Sequence, residues 1–329
     1  MYKNFFTIVL LILLMLTGCG KSDVSSTIET TLKNAYIDQA TIDETIIHQE
    51  ATTLQTSLAP AIPTFLRPEA SGTLTTANDF AIIDYSNATE GYVMLQYTGS
   101  TQNRLKAQVL GPTTTYTYNI TAGEWNVFPL SDGTGDYQFK IFENISGTRY
   151  ALVLSSSTSV TLKNEFAPFL YPNQYVNYEN AVLTISTATT LTKEYTNLLD
   201  KVEAVYNYVV NNISYDKEKA ATVQSGYLPD LDNVLTTGKG ICFDYAALMA
   251  GMLRSQGIPC KLVVGYAGSV YHAWISVWSE ETGWVDGAVF FNGTTWQRMD
   301  PTFASTGDKT STIVDFIGDG TNYTEKYIY

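Results

Sequence analysis

The sequence predicts an all-β sandwich followed by a region of mixed helices and strands. Short alternating segments separated by turn signals fill residues 76–165. Apolar residues recur at helical spacing from Leu198 to Ile213. A run of good helix formers after Cys242 leads into a β-branched segment. With 329 residues, the chain is long enough for two domains of ordinary size.

The first of these observations rests on eight candidate strands. Several alternate apolar with polar residues, as expected when one face of a sheet is buried. Turn signals such as Asp132-Gly133-Thr134-Gly135 separate them. The candidates are 80–85, 92–97, 104–110, 115–120, 124–128, 137–142, 149–154 and 160–163.

Composition narrows the class of protein. Hydrophobic residues make up 45% of the chain and charged residues 16%, and there are 23 tyrosines. This mixture suits a β-rich extracellular protein better than a helical cytosolic one. The formal net charge is −13, and no run of Lys or Arg interrupts it. Nucleic acid is therefore not an expected partner.

The first 19 residues are expected to be a signal peptide. Lys3 gives the N-terminus a short, positively charged n-region. Residues 5–16 form an apolar stretch that is too short to span a bilayer comfortably. The tetrapeptide Leu16-Thr17-Gly18-Cys19 resembles the lipobox of bacterial lipoproteins. That resemblance implies a lipid on Cys19 and a location on the bacterial cell membrane, facing outside the cytoplasm. An ordinary cleaved signal peptide with a chance cysteine is the alternative.

The remaining chain divides into four predicted parts. Residues 20–75 are interpreted as a tether, partly helical, because Ser, Thr and Asp dominate its first residues. Residues 76–165 form the β-sandwich, interpreted as a spacer or binding module because it contains no His and no Cys. Residues 166–190 are a connector, and residues 191–329 are the second domain.

Cys242 is the candidate nucleophile. Gly238 and Gly240 precede it, helix formers follow it, and Gly257 and Pro259 provide a helix stop. Cys242 is therefore expected at a helix N-terminus. Free N–H groups and the helix dipole favour a thiolate there, and the same N–H groups can hold the oxyanion of a tetrahedral intermediate.

The other cysteines have different predicted roles. Cys260 lies in a β-branched run and is interpreted as a small core residue. With Cys19 assigned to lipid, the chain has no disulfide framework. A Cys242–Cys260 disulfide is disfavoured because the two are expected on different elements. A thiol redox role is disfavoured because the chain lacks a Cys-x-x-Cys pair.

A thiolate nucleophile needs a base and an orienting acceptor. His48 lies in the tether among polar residues, whereas His272 lies in the alternating strand 271–278. His272 is therefore the histidine available to Cys242 within its own domain. Asp300 closes a short strand before Pro301 and is the preferred acceptor, and Asp286 is the rival.

Three segments carry a family resemblance. Gly-x-Cys-x-Asp-Tyr-Ala at 240–246, His-Ala-Trp at 272–274 and Trp-x-x-x-Asp-Pro-Thr at 296–302 resemble the core of the transglutaminase-like superfamily. The resemblance covers about residues 195–305, and Cys, His and Asp follow the family's order. It implies a papain-like α+β fold, in which a helix bearing Cys packs on an antiparallel sheet bearing His and Asp.

The resemblance also implies roles. Cys242 is the nucleophile, His272 the general base and acid, and Asp300 the residue that orients the imidazole. The segment between Trp278 and Trp296 is longer than in the compact family hairpin, which keeps Asp286 as an alternative to Asp300. The residues expected to line the substrate groove are Gly240, Tyr215 and Trp274.

The predicted activity is acyl transfer on peptide or glutamine-type amides through a thioester. Water as acceptor gives a protease or amidase, which is the favoured reading, and an amine gives a cross-linking transglutaminase. A non-catalytic binding lipoprotein that retains the fold is a further alternative. The expected partners are a protein or peptide substrate and the membrane, the latter through the lipid anchor. No cofactor and no metal are expected.

Overall fold

Residues 75–160 form two four-stranded antiparallel sheets in the computed structural model, with strand orders β1-β2-β3-β6 and β5-β4-β7-β8. The structure describes residues 65–279, 283–286, 288–291, 296–299, 302 and 323–329. The strands of the two sheets are β1 (Thr75–Ala77), β2 (Ala81–Asp84), β3 (Tyr92–Tyr97), β4 (Leu105–Leu110), β5 (Thr115–Ile120), β6 (Asn126–Pro129), β7 (Gly135–Ser146) and β8 (Arg149–Val160).

Alternation along the strands explains the two sheets. In β4, Leu105, Ala107 and Val109 are buried, whereas Lys106 and Gln108 between them are half-buried. Each buried face meets the other sheet in one core, as in a sandwich. The predicted β-rich region ahead of the second domain is therefore confirmed.

One predicted strand does not exist as a separate element. β7 and β8 form a single long hairpin that runs from Gly135 to Val160. The predicted strand 160–163 therefore overlaps β8 at one residue, Val160. The register shifts between Ile141 and Phe142. Such a bulge lets long paired strands bend around a core instead of breaking into shorter ones.

Five α-helices and a second group of strands follow in the described chain. The helices are α1 (Val182–Thr192), α2 (Leu198–Asn212), α3 (Lys217–Thr222), α4 (Leu231–Thr237) and α5 (Cys242–Ser255). The strands are β9 (Ser214–Tyr215), β10 (Lys239–Gly240), β11 (Cys260–Ala267), β12 (Val270–Ser279), β13 (Gly283–Asp286), β14 (Ala288–Phe291), β15 (Trp296–Met299) and β16 (Tyr323–Ile328). Four of these strands form one sheet with the order β13-β12-β11-β16.

The helix predicted from Leu198 is α2. Val202, Val205 and Val209 face the core, and Asn197 caps the first turn by accepting a hydrogen bond from the amide of Leu199 at 2.7 Å. α5 is different, because every residue from Asp244 to Ser255 is buried. It packs against β11 and β12 on one side and against helices on the other, so it forms the centre of the α+β part.

A tyrosine-rich contact joins the β-rich region to the α+β part. Tyr118 of β5 packs against Tyr175 and Tyr329, with ring centroids 5.8 Å and 6.0 Å apart. All described residues belong to one compact unit, Ile62–Tyr329. The β-rich region thus shares a core with the α+β part, and the predicted domain boundaries stay predictions.

Among the helices of the described chain, none combines the length and the apolar character needed to cross a membrane.

Candidate active site

The backbone around Cys242 is set by a tight turn and a short parallel strand pair. Gly238 ends α4 in the left-handed conformation (φ 62°) and turns the chain into β10. β10 pairs in parallel with β9, which places Gly240 opposite Tyr215. Ile241 is extended (φ −94°, ψ 174°), and α5 begins at the next residue, Cys242. The thiol therefore lies in the first turn of a helix, where the amides lack intrahelical acceptors.

His272 is held in the middle of β12. It is 5% exposed and lies opposite Gly265 of β11. Its ring stacks near Trp274, with centroids 6.4 Å apart and planes inclined by 21°. Trp274 is itself 1% exposed, so the aromatic ring fixes one side of the imidazole within the core.

Gly265 is required at that position by close packing. A Cβ there would lie 2.0 Å from the carbonyl oxygen of Thr324 and 2.9 Å from the ring of Trp274. The absence of a side chain therefore lets β16 pair closely with β11, the strand next to β12.

Cys242 and His272 line the same cavity, which has a volume of about 480 Å³. The cavity has an aromatic character, and its described lining contains no Asp, Glu, Lys or Arg. The aromatic residues that share it with the thiol and the imidazole are Tyr175, Tyr215, Tyr227, Phe243, Tyr271 and Tyr329, and the loop 223–227 closes one side.

Two phenols of the cavity interact electrostatically with Cys242. Burial raises the pKa of Tyr215, and repulsion between its phenolate and an ionised Cys242 raises it further. Burial also raises the pKa of Tyr271, to which two neighbouring tyrosines and Cys242 contribute. Both phenols are thus neutral near pH 7 and can donate hydrogen bonds to a substrate.

A buried polar network supports the first turn of α5. Asp244 is fully buried, and its carboxylate accepts hydrogen bonds from the amide of Ile241 at 2.9 Å, from Nζ of Lys219 at 2.7 Å and from the hydroxyl of Tyr227 at 2.6 Å. Burial and the Asp244 carboxylate raise the pKa of Tyr227. The ammonium of Lys219 lies 4.3 Å from the centre of the Tyr227 ring.

This network is the part of the site that the sequence did not reveal. Asp244 stands in the quoted motif without an assigned role, and Lys219 and Tyr227 lie on and after the short helix α3. The only local signal is an acidic residue at the third helical position, which is typical of a side chain that bonds back to the helix start. Its partners come from elsewhere in the fold.

The cysteine predicted to be structural has the expected environment. Cys260 is fully buried at the start of β11, and burial raises the pKa of its thiol to about 12. Cys242 and Cys260 are both free and lie on different elements. A thiol that stays protonated in the core is a poor nucleophile.

The three residues predicted to line the groove have different positions. Tyr215 lines the cavity. Gly240 is buried in β10, where a Cβ would lie 2.7 Å from Cβ of Asp244. Trp274 lies in the core beside His272, and neither Gly240 nor Trp274 belongs to the described lining.

Three predicted residues cannot be placed. Cys19, His48 and Asp300 lie outside the described residues. The strand that leads to Asp300, β15, pairs antiparallel with β14, and Met299 lies opposite Ala288. The backbone of Asp286 pairs with Ser276 at the end of β13. The choice between the two carboxylates therefore stays a prediction.

Residues 185–301 match the family model described as the Transglutaminase-like superfamily. The match includes α5 and β12, the two elements that carry Cys242 and His272. The predicted papain-like α+β class is therefore confirmed: a helix that begins at a cysteine packs on an antiparallel sheet that carries the histidine.

Curated relatives match parts of the chain. A Bacillus subtilis (strain 168) protein named Uncharacterized protein YebA is 23% identical over 200 residues, which are 54% of this chain and 27% of the relative. A protein-glutamine gamma-glutamyltransferase of Pseudomonas aeruginosa is 35% identical over 68 residues, which are 16% of this chain and 10% of the relative. The chain thus spans about a quarter or less of these relatives.

Solved structures also resemble the chain. A Cytophaga hutchinsonii protein, provisionally named a cysteine protease, is 16% identical with a TM-score of 0.37. The alignment covers 72% of this chain and 76% of that one.

Proposed function

We propose, on the premise that residues 185–301 carry a transglutaminase-like domain, that this protein is a cysteine-dependent acyl-transfer enzyme acting on peptide or glutamine-type amides. The single observation that supports this most is that Cys242, in the first turn of α5, and His272, on β12, line one cavity. A nucleophile and a base must meet at such a substrate-sized space for covalent catalysis.

The proposed reaction proceeds in two steps. His272 takes the proton of the Cys242 thiol, and the sulfur attacks the carbonyl carbon of the amide. Amides of the first turn of α5 hold the resulting oxyanion. The C–N bond then breaks, the amine leaves with the proton from His272, and a thioester remains. Water, deprotonated by His272, attacks the thioester. The C–S bond breaks, His272 returns the proton to the sulfur, and the acid and the free thiol are released.

Hydrolysis is the favoured outcome, and transfer to an amine is the second candidate. The name of the Pseudomonas aeruginosa relative, a protein-glutamine gamma-glutamyltransferase, supports the second candidate. Parallel assays separate them: release of peptides from casein measures hydrolysis, and incorporation of a fluorescent primary amine into casein measures transfer. Incorporation that exceeds hydrolysis would overturn the preference for water.

Alkylation tests the pairing of the thiol with the imidazole. The rate of Cys242 alkylation by iodoacetamide is measured from pH 4 to 9 in the native protein and in His272→Ala. We expect the native thiol to react at pH 6 and the variant to react at least about tenfold more slowly there. His48→Ala removes the other histidine and is the matched control. Identical profiles for all three proteins would contradict the proposed transfer of the thiol proton to His272.

Paired substitutions test the orienting carboxylate. Asp300→Asn is expected to lower kcat by two orders of magnitude or more, because the imidazole loses the acceptor that fixes its tautomer. Asp286→Asn makes the same chemical change at the rival position and is expected to leave kcat within about twofold. The opposite pattern would assign the role to Asp286.

We also propose that Cys19 carries a lipid that anchors the protein to the outer face of the bacterial cell membrane. The tetrapeptide that ends at Cys19 supports this proposal. Cys19→Ser is expected to move the protein from the detergent phase to the aqueous phase in a Triton X-114 partition. Equal partition of both proteins would contradict anchoring through this residue.

A further inference from the structure

A second pocket, of about 590 Å³, lies next to the active-site cavity, and Ser225 lines both. We call it the cationic pocket. Its polar lining comes from the β4–β5 and β7–β8 hairpins and the loop 223–227, and consists of Arg104, Lys106, Asn119, Thr148, Tyr150 and Ser225.

The wall between the two spaces is thin and tightly packed. Gly226 has a φ of +90°, and a Cβ there would lie 2.7 Å from Nδ2 of Asn119. Asn119 in turn accepts a hydrogen bond from Nζ of Lys106 at 3.2 Å. The loop that closes the active-site cavity therefore rests directly on the residues of the cationic pocket. A peptide bound in the active-site cavity that extends past Ser225 would enter the cationic pocket.

The charges of the two spaces differ. The described lining of the active-site cavity contains no Asp, Glu, Lys or Arg, whereas the cationic pocket contains Arg104 and Lys106 and no carboxylate. Arg104 donates to the carbonyl oxygen of Gly147, and Lys106 lies 5.6 Å from the ring of Tyr150. Neither cation takes part in the ion pairs found in the described part of the chain.

Two cations without a carboxylate are notable in a chain of net charge −13. The acidic surface repels an acidic peptide at long range, so a local cationic site is needed to hold one. We infer that the cationic pocket binds an Asp or Glu side chain of an extended peptide substrate whose reactive amide lies in the active-site cavity. This inference rests on the proposed function and adds a specificity site to it.

The experiment uses the full chain with Cys242→Ala, so that binding is measured without turnover. The probes are fluorescent peptides of equal length with a glutamine at the centre. Each peptide carries one Glu, at a different position on either side of that glutamine. The reference is the parent peptide without Glu. We expect one side of the glutamine to contain positions where Glu tightens binding about fivefold at low salt. This gain is expected to shrink at 0.5 M NaCl.

Charge variants in the same background identify the site. Arg104→Gln with Lys106→Gln is expected to abolish the gain from Glu, measured against the neutral peptide in the same variant. Lys140→Gln with Lys217→Gln removes the same charge outside the pocket and is expected to retain the gain. No gain at any position, or a gain that survives in the first double variant, would overturn the inference.

Failure of this inference is distinguishable from failure of the proposed function. Turnover of the neutral peptide by the native protein, together with an absent Glu preference, removes the cationic pocket as a specificity site and leaves the enzyme proposal intact. A Glu preference that depends on Arg104 and Lys106, without turnover of any peptide, supports the site and contradicts the enzyme proposal.

Discussion

The ammonium of Lys219 lies 2.7 Å from a carboxylate oxygen of Asp244, a fully buried residue in the first turn of α5. The same oxygen accepts a hydrogen bond from the amide of Ile241, the residue before Cys242. The ion pair therefore fixes the backbone at the point where the nucleophile begins its helix. Removing the cationic partner of a buried carboxylate destabilises the folded state, because the charge then stays buried without compensation.

Lys219→Met is expected to destabilise the protein by about 3 kcal/mol, because it leaves the buried Asp244 carboxylate without its countercharge. Urea unfolding measures the free-energy change. The matched control is Lys217→Met, an exposed lysine at the start of the same helix, whose change should stay within about 0.5 kcal/mol. Equal effects of the two substitutions would show that the ion pair adds no stability.

The two described cysteines are expected to differ in reactivity. In the folded protein at pH 7.5, iodoacetamide should label the peptide that contains Cys242 and spare the one that contains Cys260. Cys260 is fully buried with a pKa of about 12, so it is both inaccessible and protonated. Peptide mapping by mass spectrometry, with and without urea, measures both sites. Early labelling of Cys260 without urea would contradict the structure.

Gly265→Ala is expected to cost about 2–3 kcal/mol, because the new methyl group meets the backbone of Thr324 and forces β16 away from β11. Gly123→Ala is the control, since Gly123 has a φ of +85° and open space around it, and backbone strain alone should cost about 1 kcal/mol. A smaller loss for Gly265→Ala than for the control would refute the packing argument.

Stability is expected to fall as the pH rises from about 10 toward 12. Burial raises the pKa of Tyr171 and of Tyr175 to about 12 and also raises that of Tyr118. An unfolded tyrosine ionises near 10, so above that pH the unfolded state loses protons that the folded state keeps. The stability that these raised pKa values contribute is fully present below pH 10 and is lost as the pH rises through 12. Urea titrations at pH 8, 10 and 11, with phenolate absorbance, test this, and an unchanged free energy of unfolding at pH 11 would contradict it.

Helix α1 illustrates what local sequence does not reveal. It begins in the predicted connector and ends two residues inside the predicted second domain, and Thr recurs along it without an apolar stripe. Its first amides are capped from a distance, since the carboxylate of Asp232 accepts hydrogen bonds from the amides of Leu183 and Thr184 at 3.1 Å and 2.8 Å. A helix that depends on a cap from α4 leaves no signature in its own residues.

The sequence by itself determined the elements whose cause is local: the alternating strands of the β-rich region, the valine face of α2, and the glycines and helix formers that place Cys242 at the start of α5. Tertiary structure alone decided which residues surround that thiol. Tyr271, Tyr329 and the loop 223–227 reach the cavity from segments far apart in the chain. The physical reason is that secondary structure follows from spacing between neighbours, whereas a cavity forms only when distant surfaces pack against each other.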